Sequence, residues 1–268
     1  MKTYPKICVS VAGNPSPLGV KMHNAAYNAR NLDYTYVAMG SESIEDAIKC
    51  IELLSIRGMG VSMPFKQDVI NHLDVVDDSV TAIGACNTVV NNDNVLYGYN
   101  TDWVGAQDAI KETIDINTLE SAVIIGAGGV ARAIAYALKK NGLKVYISAR
   151  NPIQRKTLVA DLNLDGETDL EHQGDFNTDL VVNATPDATE NGPVNLEMHK
   201  NVQVVFDVVF NQYMTYLTTR AKDLGKKYVS GWRMLVLQGA EQFRLYIGES
   251  APVDDMSNVI LEWLNSAK

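Results

Sequence analysis

The sequence predicts a two-domain α/β protein, and three observations lead to that prediction. Strand-like segments rich in β-branched residues alternate with helical patterns along the chain. Residues 121–150 read as a strand, a glycine turn, a helix and a second strand, which together form one βαβ unit. The chain has 268 residues, of which 46% are hydrophobic and 21% charged, so it can bury one large core or two of ordinary size.

The first half of the chain is predicted to form a mostly parallel sheet. Strand and helix alternate through six segments: KICVSVAG, MHNAAYNARNL, YTYVAM, SIEDAIKCIELLSI, GMGVSM and KQDVINHLDVV. Such alternation is typical of parallel strands joined by helices. Beyond Gly84 the pattern changes to a hairpin, in which Asn92, Asp93 and Asn94 supply the turn between two apolar runs.

The second half continues the alternation around the βαβ unit. A helical segment, TDWVGAQDAIKETI, precedes the unit, and two strand cores, DLVVNAT and VQVVFDVVF, follow it. Two amphipathic helices, MLVLQGAEQFRLYIG and MSNVILEWLNSA, close the chain. We expect residues 1–101 and 237–268 to form one domain, completed by these C-terminal helices, and residues 102–236 to form the other.

Composition narrows the class of protein. The 23 basic and 32 acidic residues give a net charge of −9, and without a basic block we expect no nucleic-acid partner. No apolar run of about 18 residues and no leader-like start is present, so we expect a cytoplasmic protein without a membrane partner. The three cysteines are widely spaced and odd in number, which argues against a disulfide framework or a CxxC metal site.

A glycine motif predicts a dinucleotide site. The run Gly126, Ala127, Gly128, Gly129, Val130, Ala131 fits G-x-G-x-x-G/A and joins the strand AVII to the helix ARAIAYALKK. Gly126 permits the tight turn, Gly128 lets backbone amides approach a pyrophosphate, and Ala131 keeps helix and strand close. The helix N-terminus offers unpaired N–H groups to the anion. The segment is therefore predicted to be a Rossmann-type unit.

The end of the next strand predicts NADP rather than NAD. It reads Ala149-Arg150-Asn151, without the Asp or Glu that would accept hydrogen bonds from the ribose hydroxyls. Arg150 can pair with a 2′-phosphate, and Asn151 lies beside it. Arg155 and Lys156, one turn further on, either extend this clamp or form a solvated helix face.

Three residues of the first half are candidates for catalysis. Carbonyl reduction needs a proton donor near the carbonyl oxygen and polar groups that orient the substrate. Lys66 in VSMPFK, Asn87 in GACNTV and Asp102 in YNTDWVG supply such groups. Each also has a plainer interpretation: a solvated lysine, an asparagine that caps a turn, and an aspartate that caps the helix beginning at Trp103.

The sequence resembles a known family, the shikimate and quinate dehydrogenases. The matching segments, in the order and spacing typical of the family, are GNP, HN, VSMPFK, GACNTVV, NTDWVG, IGAGGVARA, NAT, FDVVFN and GWRMLVLQGAEQF. The resemblance implies an enzyme of the shikimate pathway of aromatic amino acid biosynthesis that interconverts 3-dehydroshikimate and shikimate with NADP(H). It also implies a substrate domain and an NADP domain with an active-site cleft between them, in a monomer or homodimer.

The resemblance also implies roles for single residues. Lys66 and Asp102 would be the catalytic pair, and Asn87 would hold ring hydroxyls. The other implied contacts are Ser62 and Gln238 for the substrate, and Asn183, Thr185, Val208 and Gly231 for the cofactor, the last two near the nicotinamide.

Two departures from the family pattern place the chain closest to the shikimate-dehydrogenase-like subgroup. Pro17 and Gly19 stand where shikimate-specific members have two serines that hold the substrate carboxylate, although Ser16 or Lys21 is available as a substitute. Hydrogen bonds to a charged group contribute about 1.5 to 3 kcal/mol each, so we expect weak activity on shikimate. Phe210 replaces a substrate-facing tyrosine.

Three functions therefore compete. The leading one is an NADP-dependent dehydrogenase of the shikimate type, weak or altered toward shikimate. The second is a dehydrogenase for quinate, an amino-shikimate or another cyclic polyol, with the same lysine and aspartate. The third is a non-catalytic NADP-binding regulatory module, against which the presence of both Lys66 and Asp102 argues.

Overall fold

The computed structural model describes residues 6–266 and divides them into two compact units. The first unit contains the residues up to Thr101 and those from Val236 onward, and the second contains Asp102–Leu235. The second boundary falls inside a helix, one residue before the expected position.

The described residues form twelve strands and nine α-helices. The strands are β1 (Lys6–Ala12), β2 (Tyr34–Gly40), β3 (Gly58–Val61), β4 (Val75–Val76), β5 (Thr88–Asn92), β6 (Val95–Tyr99), β7 (Ser121–Ile125), β8 (Lys144–Ser148), β9 (Gly166–Thr168), β10 (Leu180–Asn183), β11 (Val204–Asp207) and β12 (Lys227–Ser230). The helices are α1 (Pro17–Ala29), α2 (Ile44–Leu53), α3 (Asp78–Ile83), α4 (Asp102–Thr113), α5 (Gly129–Lys140), α6 (Pro152–Leu162), α7 (Tyr216–Asp223), α8 (Gly231–Ile247) and α9 (Val253–Ser266).

The sheet of the first unit is mixed, with the order β2-β1-β3-β5-β6-β4. Strand β1 runs parallel to β2 and β3, and β4 runs parallel to β6. Strand β5 is antiparallel to both β3 and β6. The predicted hairpin is confirmed: Asp93 and Asn94 have φ of 52° and 65°, as a two-residue turn of mirror-image type requires. The Asn91 Oδ1 atom accepts a hydrogen bond from the Asn94 N–H.

One predicted helix of this unit is wrong. The segment KQDVINHLDVV forms only a short 3-10 helix, Asp68–His72, and then β4. The β-branched Val75 and Val76 pair with β6 instead of continuing a helix, and the Asp74 carboxylate accepts a hydrogen bond from the Leu96 N–H. Packing against β6 therefore prevails over the helical spacing of the apolar residues.

The sheet of the second unit is parallel throughout its described pairings, with the order β12-β11-β10-β7-β8-β9. Numbered within the unit, this is the strand order 3-2-1-4-5-6 of a dinucleotide-binding fold, in which ligands bind where the order reverses. That point lies between β7 and β10, so the predicted Rossmann architecture is confirmed. The sequence patterns did not predict β9, α7 or β12, and they indicated α6 only as a helix face that carries Arg155 and Lys156.

Each unit has its own apolar core. In the first, Val9, Val11 and Met59 of the sheet pack against residues of α2 such as Ile48. In the second, strand residues such as Val123 and Val205 pack against Leu217 and Ala221 of α7. Within residues 6–266, no helix is both long and apolar enough to cross a membrane.

Candidate active site

The glycine turn follows β7 at the point where the strand order reverses. Gly126 has φ +119°, and its N–H donates to the carbonyl oxygen of Ser148 at 2.8 Å. A Cβ atom at Gly126 would lie 3.0 Å from the carbonyl oxygen of Ala184. Both the dihedral angle and the close backbone therefore require glycine at this position.

The N-terminus of α5 suits an anion. Gly128 is the N-cap and supplies no side-chain cap, so the first N–H groups of the helix point outward with the positive end of its dipole. No heavy atom lies within 4 Å of a Cβ built at Gly128 or Gly129. Ala131 is fully buried, which lets α5 pack closely on the sheet. A pyrophosphate fits this cradle.

The residues after β8 are held by two side chains. The Asn151 Oδ1 atom accepts hydrogen bonds from the N–H groups of Ile153 and Gln154 and thereby caps α6. Arg155 donates to the carbonyl oxygen of Ala149 and pairs with Glu167 of β9. Arg155 thus fixes the course of the loop, whereas Arg150, inside the same loop, is exposed.

Asn183 shapes the loop after β10. Its Nδ2 atom donates to the carbonyl oxygen of Asp187 at 3.0 Å and to Asp207 Oδ1 at 3.1 Å. Its Oδ1 atom accepts from the N–H and the hydroxyl of Thr185. Burial raises the pKa of Asp207, while hydrogen bonds from Thr215, Val209 and Asn183 oppose that rise.

Val208 and Gly231, both expected near the nicotinamide, are brought together. A Cβ atom at Gly231 would overlap the carbonyl oxygen of Val208, so only glycine allows α8 to begin this close to the end of β11. Phe210, two residues further along the chain from Val208, is 41% exposed.

In the first unit, the ends of β1 and β3 bring two candidate loops together. The Ser62 N–H donates to the carbonyl oxygen of Val11 at 2.9 Å, and the Gly13 N–H donates to that of Met63 at 3.1 Å. The Lys66 carbonyl oxygen accepts from the Cys86 N–H at 2.7 Å. Lys66 therefore lies beside the segment that carries Asn87, and Ser62 is exposed at the strand end.

A buried amide–hydroxyl cluster surrounds Asn87. Its Nδ2 atom lies 3.0 Å from Thr101 Oγ1 and 3.5 Å from Gln238 Oε1. Its Oδ1 atom accepts from the Thr101 N–H at 2.7 Å and from the Thr88 hydroxyl at 2.8 Å. The structure thus unites Asn87 and Gln238, which are far apart in sequence.

The cluster also contains Thr88, Thr101 and Gln242, which the sequence pattern did not single out. The Gln242 Nε2 atom donates to the Asn87 carbonyl oxygen at 3.2 Å and to Thr88 Oγ1 at 3.0 Å. A signal was available: Gln242 follows Gln238 by four residues and therefore lies on the same face of α8.

The loop between β1 and α1 lacks the two family serines but keeps its helix start. The Ser16 Oγ atom accepts from the Leu18 N–H at 3.3 Å as N-cap of α1, and Pro17 occupies the first turn. A Cβ atom at Gly19 would lie 3.6 Å from the ring of Tyr36, an ordinary contact distance. Lys21 is exposed on α1.

Asp102 does not cap a helix that begins at Trp103. It is itself the first residue of α4 and is 9% exposed. Asp102 also begins the second unit, whereas Lys66 belongs to the first.

The fold and these side chains define a dinucleotide-binding α/β oxidoreductase. The shikimate dehydrogenase substrate-binding domain model matches residues 12–89, and the shikimate 5′-dehydrogenase C-terminal domain model matches residues 231–261. This chain belongs to the shikimate dehydrogenase family, so the resemblance seen in the sequence is confirmed.

Three relatives illustrate the relationship. Shikimate dehydrogenase (NADP(+)) of Desulforamulus reducens is 36% identical over 89% of this chain and 88% of its own. The shikimate dehydrogenase-like protein of Haemophilus influenzae is 34% identical over 94% and 93%. The structure of shikimate 5-dehydrogenase from Thermus thermophilus with NADP(H) and shikimate superposes with a TM-score of 0.87, at 30% identity over 96% of this chain and 100% of the other.

Proposed function

We propose that this protein catalyses the reversible, NADP(H)-dependent oxidation of a ring CH–OH group in a cyclic polyol acid of the shikimate type. The observation that carries the proposal is the buried cluster of Asn87, Thr101 and Gln238. The segment that contains Lys66 lies beside this cluster. Carboxamides held in fixed orientation recognise vicinal ring hydroxyls, which both donate and accept hydrogen bonds.

The cofactor side of the proposal rests on the second unit. Bound NADP accepts or supplies the two electrons and the hydrogen of the reaction. The N–H groups at the start of α5 hold its pyrophosphate, and Arg150 pairs with its 2′-phosphate. Val208 and Gly231 pack against the nicotinamide, while Asn183 and Thr185 shape the neighbouring loop. Arg155 supports this site through its hydrogen bond to Ala149.

We assign the proton transfer to Lys66 and Asp102. In ketone reduction the Lys66 ammonium group donates a proton to the carbonyl oxygen, and in alcohol oxidation the neutral amine accepts one. Asp102 accepts a hydrogen bond from the substrate hydroxyl. Because oxidation needs a group that can accept the proton and reduction needs one that can donate it, we expect the rate of oxidation to increase from neutral to alkaline pH, while the rate of reduction stays level or decreases.

We propose that shikimate itself is a poor substrate. Pro17 and Gly19 offer no hydroxyl to its carboxylate, and the proposed substitutes are Ser16, the N-cap of α1, and Lys21 on α1. The Ser16 oxygen already accepts the helix-capping hydrogen bond, although its own hydrogen is available to a carboxylate. Quinate, an amino-shikimate or another cyclic polyol remains the competing substrate.

The test is a substrate screen followed by one substitution. Cyclohexane and cyclohexene polyol acids are assayed with NADP⁺ and NAD⁺ by absorbance of the reduced cofactor. Lys66→Ala should decrease kcat by about 10²–10⁴-fold with a much smaller change in KM, because proton transfer belongs to the transition state. Lys222→Ala, on the exposed face of α7, is the control. Wild-type kcat in Lys66→Ala would exclude the acid–base role, and a protein that oxidises no polyol would exclude the proposed function.

A further inference from the structure

A buried histidine lies behind the Asn87 cluster and takes no part in the chemistry above. His23 of α1 has no exposed surface. Its ring stacks on Tyr36, with 4.2 Å between ring centroids and 8° between the planes, and Tyr27 and Tyr246 lie at 5.9–6.1 Å. Its Nε2 atom lies 3.2 Å from Gln242 Oε1. The histidine therefore has one polar partner in a ring of aromatic side chains.

Hydrogen-bond chemistry fixes the orientation of Gln242. One end of its carboxamide faces the Asn87 carbonyl oxygen at 3.2 Å and Thr88 Oγ1 at 3.0 Å. A carbonyl oxygen can only accept, so this end must be the NH₂ group. The other end, Oε1, then faces His23, and His23 must donate from Nε2. His23 therefore carries a hydrogen on Nε2. Burial, which lowers its pKa to about 4, keeps the ring neutral, so Nδ1, which has no hydrogen-bond partner among the described residues, carries none.

A series of hydrogen bonds links Gln242 to Asn87 through Thr88. The Thr88 hydroxyl accepts from Gln242 Nε2 and so donates its single hydrogen to Asn87 Oδ1 at 2.8 Å. Asn87 Oδ1 also accepts from the Thr101 N–H at 2.7 Å. With its oxygen held in this way, Asn87 turns its NH₂ group toward Gln238 Oε1. A reversed carboxamide at Gln242 would break the first link of this series.

We infer that His23 and Gln242 are positioning residues that hold Asn87 in the place from which it receives the alcohol substrate. The inference rests on the proposed function, which assigns Asn87 to substrate binding. Without the Nε2–H donor, Gln242 loses the hydrogen bond that holds its carboxamide against the Asn87 carbonyl oxygen and the Thr88 hydroxyl, so the position of Asn87 is less restrained. Substrate binding should weaken, whereas the proton donor and the cofactor site should be untouched.

Two His23 variants separate positioning from simple packing. His23→Phe keeps a ring against Tyr36 but removes the donor, and it should raise the KM of the alcohol substrate about tenfold, as expected for one hydrogen bond of about 1.4 kcal/mol. The kcat value and the KM of NADP⁺ should change less than about twofold. His23→Gln places an N–H close to the position of Nε2 and should restore most of the KM.

The chain offers a matched control in its second unit. His199 is buried and its Nε2 atom also lies 3.2 Å from a glutamine Oε1, that of Gln173. His199→Phe should lower the melting temperature about as much as His23→Phe, yet leave the substrate KM unchanged. Equal KM increases in the two variants would show a general loss of stability and would overturn the inference, as would an unchanged KM in His23→Phe.

A spectroscopic measurement on the wild type is independent of turnover. Imidazole ¹⁵N chemical shifts distinguish the two neutral tautomers, and His23 should show Nε2–H without titration between pH 5.5 and 8. A signal from the Nδ1–H tautomer would overturn the inference even if the enzyme is active. A protein that oxidises no polyol would reject the proposed function by itself, so the two failures are distinguishable.

Discussion

The glycine turn after β7 and the loop after β1 occupy the same place in their respective sheets, where the first strand of each ends and a helix begins. The turn after β7 keeps each glycine that the motif requires, and Gly126 depends on its φ of +119°. The loop after β1 keeps only its helix start, through Ser16 and Pro17. In the proposed function, the first loop binds the cofactor through backbone groups and the second binds the substrate through side chains. A substrate site can therefore change by substitution, whereas a pyrophosphate cradle changes only with the fold.

Restoring the lost hydroxyls would test this difference between the two loops, and it should have the largest effect of the substitutions in these loops. Gly19→Ser and Pro17→Ser, combined with Phe210→Tyr, should raise kcat/KM for shikimate by about a hundredfold, because each hydrogen bond to a carboxylate contributes about 1.5 to 3 kcal/mol. The surroundings allow the side chain, since a Cβ at Gly19 meets Tyr36 at an ordinary 3.6 Å.

The control for this experiment is Gly19→Ala with Pro17→Ala and Phe210 unchanged, which alters the backbone preferences without adding hydroxyls. Steady-state kinetics with shikimate and with the best substrate of the screen make the comparison. If the serine variant gains nothing on shikimate, the loop binds a different substrate group and the missing serines do not explain its specificity.

The same contrast explains which parts of the molecule the sequence could predict. The βαβ unit and its glycine turn were predicted because the glycine motif is a local sequence pattern, and the φ of +119° at Gly126 is a backbone conformation that favours glycine. The prediction of a helix across KQDVINHLDVV was wrong because Val75 and Val76 pair with β6, which lies more than twenty residues further along the chain. The link between His23 and Asn87 also depends on tertiary contacts, since α1, β5 and α8 meet only in the folded unit.

Two arginines after β8 differ in how they are held. Arg150 is exposed, whereas Arg155 is held by Glu167 and by the carbonyl oxygen of Ala149. Arg150→Ala should raise the KM of NADP⁺ about tenfold and leave that of NAD⁺ unchanged, because only NADP⁺ carries the 2′-phosphate. Arg155→Ala should raise the KM of both cofactors, because the substitution removes the contacts that hold the loop. Equal losses for both cofactors in Arg150→Ala would contradict its assignment to the 2′-phosphate.

The smallest effect concerns Asp207, the side chain that joins the ends of β10 and β11. Burial raises its pKa, so the folded protein holds this proton more tightly than the unfolded chain does. Its contribution to the free energy of unfolding is therefore fully present below the ordinary pKa of 3.8 and is lost as pH rises through the folded value. Asp207→Asn still accepts from Asn183 and Val209 through Oδ1, and the Thr215 hydroxyl can accept from its new N–H groups.

At pH 4 we expect Asp207→Asn and the wild type to unfold with free energies within about 1 kcal/mol of each other, and the variant should gain relative to the wild type as pH rises to 7. Urea unfolding at several pH values measures the difference.

Asp187 of the neighbouring loop is the control of opposite sign, because hydrogen bonds from Thr189 lower its pKa. Its contribution to the free energy of unfolding is therefore present above its ordinary pKa and is lost as pH falls. Asp187→Asn should therefore lose stability at pH 7 and approach the wild type at low pH. Parallel pH curves for Asp207→Asn and the wild type would show that burial does not hold this proton, and Asp207 would then support the loop as an ordinary ionised carboxylate.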